Sequence, residues 1–134
     1  EYTLQREVKV DAAQHVLRWN AKEKRLFAGD RNGDVSVWSD HHGKTPGHHK
    51  LKLEGKWSIH NDTVTDLLFF DDAPLIATSS LDATLALQDL RHMGVVQRFQ
   101  GHKKGIHCLA KSENYGYILS AGYEFHGMCW MPGN

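Results

Sequence analysis

Ile59-His60-Asn61-Asp62-Thr63-Val64-Thr65-Asp66-Leu67 returns 42 positions later as Gly101-His102-Lys103-Lys104-Gly105-Ile106-His107-Cys108-Leu109, without a gap. His60 matches His102, Val64 matches Ile106 and Leu67 matches Leu109. The match continues downstream, with Thr78 returning as Ser120, Asp82 as Glu124 and Gln88 as Trp130. An earlier copy lies 50 positions upstream, where Leu17 answers Leu67, Trp19 answers Phe69, Ala28 answers Thr78, Asn32 answers Asp82 and Trp38 answers Gln88. A period of roughly 40 to 45 residues marks stacked supersecondary units. Arrays of that kind serve mainly as binding surfaces.

Each copy reads as a small antiparallel sheet. In the middle copy, 63–70 is rich in β-branched and aromatic residues and reads as a strand. Asp71-Asp72-Ala73-Pro74 turns the chain into a second strand over 75–78, and Ser79-Ser80-Leu81-Asp82 turns it into a third over 84–88. A fourth follows over 95–99. The last copy gives strands over 105–111, 117–120 and 127–130, and the first over 14–19, 25–29, 34–38 and 51–57. Residues 4–10 read as the last strand of another unit. The excess of the 50-residue period over 42 places an eight-residue insertion in 39–49, whose Gly, Pro and polar residues predict a surface loop.

Composition narrows the class. Among 134 residues there are 16 basic and 16 acidic side chains, which argues against nucleic-acid or membrane-surface binding driven by bulk charge. A 40% hydrophobic content suffices for one core. No run approaches the roughly 20 apolar residues of a membrane span, and the N-terminus has no signal-like apolar region. The two cysteines, Cys108 and Cys129, fall on the first and third strands of one unit. Strands two apart are separated by about 9–10 Å, too far for a disulfide, so two buried thiols in a reducing compartment are expected.

The residues resemble the WD-repeat β-propeller family. Its Gly-His step stands at Gly101-His102 and, degraded, at Ile59-His60; its following strand pattern stands at Val64, Leu67 and Phe69 and again at Ile106 and Leu109. Its Trp-Asp position is filled by Trp38-Ser39, Gln88-Asp89 and Trp130-Met131, so no unit carries the intact dipeptide. The resemblance implies an all-β fold of about three four-stranded blades: 11–58 with the insertion, 59–100, and 101–134 without its last strand, preceded by an outer strand in 1–10. It also implies a buried hydrogen-bonded tetrad in each blade. The third blade would use His102, Ser120, Glu124 and Trp130, and the second His60, Thr78 and Asp82 with Gln88 replacing Trp. The first retains Asn32 and Trp38 and is expected to rely on Leu17, Trp19, Leu26, Val35 and Val37.

A propeller needs about four to eight blades. Three therefore imply a slice of a larger ring, the reading also suggested by a chain that opens on Glu1, or association of two copies through 4–10 into a six-bladed ring. No nucleophile elbow or phosphate loop is present, and no cofactor or metal is implied. His41-His42 and His48-His49 invite a metal hypothesis, but a solvated loop accounts for them. The expected function is a non-catalytic protein–protein interaction scaffold, with other proteins as partners and neither nucleic acid nor membrane. The candidate contacts are Arg31, Lys44, His48, His49, Arg91, His92 and Lys103. The alternative is an enzyme or metal-dependent domain on a propeller scaffold. Gly101 to Ile106 with Ile118 to Tyr123 is further similar to large WD-repeat proteins of cilia and flagella, which implies a cytoplasmic location, in the axoneme on that narrower resemblance.

Overall fold

The computed structural model describes residues 2–4, 7–42 and 49–131, apart from the side chains of 41, 42 and 49. These residues form eleven strands and no helix. β1 (Gln14–Asn20), β2 (Arg25–Asp30), β3 (Asp34–His42) and β4 (His49–Ser58) follow one another across a first antiparallel sheet. β5 (Val64–Phe69), β6 (Leu75–Ser80), β7 (Thr84–Asp89) and β8 (Val95–Gln100) do the same in a second. The third holds β9 (Ile106–Lys111), β10 (Ile118–Gly122) and β11 (Met128–Trp130).

Short polar side chains shape the turns. Asn20 Oδ1 accepts the amides of Lys22 and Glu23 at 3.1 Å each, and Asp30 Oδ1 accepts those of Asn32 at 2.9 Å and Asp34 at 3.0 Å. Gly33 sits at φ +90°, where a side chain would be strained and its Cβ would strike the His60 carbonyl. The Gly33 carbonyl accepts the amides of Ile59 and His60 at 3.2 and 3.0 Å. One turn of the first sheet thereby fixes where the second begins.

The second sheet is buried on both faces. Along β6, Ile76 packs toward the first sheet and Ala77 toward the third, as the two-residue period of a strand requires. Phe27, Val35, Val37, Val64 and Leu67 fill the first interface, where Phe27 meets Phe69 edge-on at 5.0 Å. Leu85, Leu87, Phe99, Ile106 and Ile118 fill the other, with Trp130 tilted against Phe99 at 5.4 Å. Each fully buried side chain of this size stabilises by roughly 1.5–3 kcal/mol relative to exposure. β5 lies between β1 and β9, so those three strands line one edge of the stack.

The strand registers sort the connections into two ends. Turns 31–33 and 81–83 and segments 59–63, 101–105 and 123–127 share one end. Turns 21–24, 70–74, 90–94 and 112–117 share the opposite end, together with the β3–β4 hairpin.

Four expectations need correction. The predicted loop in 39–49 is partly ladder, because β3 and β4 stay paired out to His42 opposite His49. Lys44 and His48 lie outside the described residues, as does the His49 side chain. Leu4 and Glu7 to Val10 form no strand; Val8 and Val10 instead line a 210 Å³ apolar cavity with Leu17, Leu26 and Trp38 on the uncovered face of the first sheet. That face also alters the first unit: Val35 and Val37 are buried, but Leu17 and Trp19 are 54% and 49% exposed. Finally, Cys108 and Cys129 are unpaired yet exposed, because they point away from the second sheet and no described sheet covers their side.

Candidate functional site

The polar clusters stand at the end shared by 59–63 and 101–105, where each inner strand begins. In the second sheet, His60 Nε2 lies 2.8 Å from Thr78 Oγ1, and its Nδ1 lies 3.2 Å from Asp82 Oδ2 and 3.1 Å from Thr84 Oγ1. The Asn61 amide donates to Asp82 Oδ2 at 3.0 Å, while the Thr84 amide and hydroxyl donate to Oδ1 at 2.9 and 2.6 Å. Burial alone would raise the Asp82 pKa. The bonds from His60, Thr84 and Asn61 outweigh it and hold the carboxyl well below the usual range. Gln88, fully buried, donates from Nε2 to the Met93 carbonyl at 3.2 Å and turns Oε1 toward Thr78 Oγ1 at 3.4 Å.

In the third sheet, Trp130 Nε1 donates to Ser120 Oγ at 2.8 Å, and Ser120 Oγ lies 2.6 Å from His102 Nε2. An indole nitrogen only donates, so the serine hydroxyl accepts from it, which leaves its second lone pair and its proton for Nε2. His102 Nδ1 points toward Glu124 Oε2 at 3.7 Å, beyond hydrogen-bond range, and has no other partner. Glu124 uses Oε1 to accept the amides of Lys104, at 2.7 Å, and Lys103. Those amides hold its carboxyl below the usual range.

The first sheet does not bring Asn32 and Trp38 together. Trp38 Nε1 donates to Ser36 Oγ at 3.1 Å on its own strand, and Asn32 is exposed in the turn that Asp30 holds. Val10 and Ala28 occupy the slots of His and Ser/Thr and have no side-chain donor or acceptor, so the indole finds another oxygen.

Two residues outside the sequence-derived set carry comparable connections. Thr84 completes the Asp82 cluster. Asp66, 8% exposed, accepts Arg18 Nη2 and the Leu67 amide on Oδ1 at 2.8 and 2.9 Å, and the Leu109 amide on Oδ2 at 2.9 Å. It thereby ties β1, β5 and β9 together. A carboxylate between Val64 and Leu67 in an apolar run was its visible signal.

The expected partner contacts divide between the ends. Arg31 and Lys103 are exposed at the end that holds the His60 and His102 clusters. Arg91 and His92 are exposed at the other, where Arg91 binds Asp89 through Nε at 2.9 Å and Nη2 at 2.6 Å. Among the described residues, no three His, Cys, Asp or Glu side chains stand together as a metal site. No helix among them is long and apolar enough to cross a membrane.

Stacked three- and four-stranded meanders, joined at their inner strands and pinned in the second and third sheets by His–Ser/Thr contacts, define a segment of a repeat β-propeller. The profile of the family described as WD domain, G-beta repeat matches residues 51–89 and 93–130, together more than half of the sequence. The chain belongs to the WD-repeat family. Each matched repeat starts in or just before the outer strand of one sheet (β4 or β8) and ends in the third strand of the next (β7 or β11), so the sequence repeat straddles two sheets.

The chain is 25% identical over 116 residues to an uncharacterized WD repeat-containing protein of Schizosaccharomyces pombe, covering 85% of this chain and 29% of that protein. It is 28% identical over 91 residues to eukaryotic translation initiation factor 3 subunit I of Candida glabrata, covering 68% of this chain and 24% of that one. It superposes on the WD40 β-propeller domain of Doa1 with a TM-score of 0.73 at 22% identity, over 90% of this chain and 37% of that one. The chain thus spans less than a third of the length of these two relatives.

Proposed function

We propose that this chain is a non-catalytic protein–protein interaction scaffold, a propeller segment that holds partners within a larger assembly. One observation carries the reading. The groups that mimic a catalytic set on paper, His60 with Thr78 and Asp82 and His102 with Ser120 and Glu124, have their imidazoles sealed at sheet joints. They serve the joint rather than a substrate, and the surfaces left for contact are turns on rigid strands. That arrangement favours the scaffold over the alternative of an enzyme or metal-dependent domain.

The uncovered apolar faces, with Leu17 and Leu53 on the first sheet and Leu119 on the third, fit further blades from a longer chain or a second copy. Light scattering separates the two: a dimer supports self-closure, and a monomer or polydisperse species supports a longer ring. A cytoplasmic, and on the 101–106 and 118–123 phrases axonemal, location belongs to the same proposal. None of the relatives named above mentions a cilium.

The test maps capture of a cross-linked partner onto the two ends. Arg31→Glu with Lys103→Glu alters one end, and Arg91→Glu with His92→Glu the other. Loss of one specific cross-link in one pair alone is expected. Identical cross-links in both variants and the native chain would count against a scaffold that uses these turns.

A further inference from the structure

The end opposite the histidine clusters carries a groove of about 760 Å³ between the β1–β2 and β5–β6 turns. Its floor lies between sheets that are present and packed, whereas Trp19 at its rim stands on the uncovered side of the first sheet. Trp19, 49% exposed, forms one side, and Phe69, Phe70 and buried Leu90 give an apolar floor. A second groove of about 400 Å³ runs on toward the β9–β10 turn and shares Phe70, Asp71 and Asp72 with the first. Together they make one trough across the ends of three sheets.

Its open charge is negative. Lys22 Nζ donates to the Asp71 carbonyl at 3.5 Å; Lys111 Nζ donates to the Phe69 carbonyl at 3.0 Å and pairs with the Asp71 carboxylate at 3.3 Å. Both cations of the trough are therefore engaged with its own walls. Glu23 is engaged by Arg25. Asp72 and Glu113 stand exposed with no side-chain partner among the described residues, one in each groove.

We propose that this trough binds an extended peptide segment that alternates basic and apolar residues, an inference that rests on the scaffold reading and specifies its partner. Apolar side chains fill the Phe69–Leu90 floor, a lysine or arginine lies over the half-exposed Trp19 face, and others meet Asp72 and Glu113. The groove's size is that of ordinary ligand sites.

The probe is a short fluorescein-labelled lysine–leucine peptide, titrated by anisotropy against the full chain. Saturable binding is expected, weakened about tenfold by Trp19→Ala and a few-fold by Asp72→Asn with Glu113→Gln, and weakened by added salt. The carboxamide pair lies on exposed turns, so it keeps the test decisive if Trp19→Ala disturbs folding. A glutamate–leucine peptide is expected not to bind. No saturable binding, equal binding of the acidic peptide, or equal binding by the variants would overturn the trough. Binding lost in Arg31→Glu but not in the trough variants would overturn it too, while leaving the scaffold reading in place.

Discussion

The second and third sheets solve one problem with different chemistry. Both must bury a histidine, His60 or His102, where an inner strand starts, and both give its Nε2 a hydroxyl. The third sheet adds an indole that orders the hydroxyl, then leaves Nδ1 unpaired because Glu124 reaches past it to the backbone amides of Lys103 and Lys104. The second lacks the indole. Its Thr78 hydroxyl has one proton for two acceptors, His60 Nε2 and Gln88 Oε1, but Asp82 is short enough to bond Nδ1 and two amides at once. One methylene moves the strength of the cluster from one side of the imidazole to the other. Where a buried polar group finds its partner matters more than how many family residues are retained.

The comparison breaks most readily at the histidines. His60→Ala removes the contacts with Asp82, Thr84 and Thr78 at once and is expected to destabilise by about 2–4 kcal/mol in urea unfolding. His102→Ala leaves Glu124 on its amides and should destabilise less, about 1–2 kcal/mol. Equal losses would mean that the Asp82 bond contributes nothing beyond the Glu124 arrangement.

Acid sharpens the same contrast. Asp82 is held further below its ordinary pKa than Glu124, so its stabilisation is complete above about pH 4 and is lost as pH falls toward its depressed value. Asp82→Asn is therefore expected to flatten the stability loss below pH 4 more than Glu124→Gln does. Parallel unfolding curves for the two variants from pH 5 to 2 would remove the distinction.

The smallest effect concerns the turns. Ala83, 50 positions after Gly33, holds φ +71° with a side chain that this region disfavours. Ala83→Gly is expected to stabilise by up to about 1 kcal/mol, and Gly33→Ala to destabilise, since it adds a clash with the His60 carbonyl. A rise in Tm for the first and a fall for the second checks both.

Much of the fold was legible along the chain. The 42-residue match predicted the second and third sheets to within a few residues at each strand end, because turn residues such as Asp71, Pro74 and Asp82 punctuate them. The insertion was harder: 39–49 is polar and rich in turn formers, yet 39–42 continue as β3, since a hairpin ladder propagates by backbone pairing that polar side chains do not oppose. Asn32 and Trp38 were grouped by spacing, but a cluster needs the hydroxyl and imidazole that Val10 and Ala28 do not have. Asp66 was visible only as an oddity, because its partners Arg18 and Leu109 lie 48 and 43 positions away.

By itself, then, the sequence determined the number and kind of units, through local turn chemistry and an apolar period that recurs at fixed spacing. Tertiary structure alone decided which faces of those units stay uncovered, which oxygen each imidazole reaches, and that Trp19, Asp72 and Glu113 border one trough. Those outcomes depend on distances between sheets, where a single methylene or an absent neighbour decides whether a group is paired, buried or open.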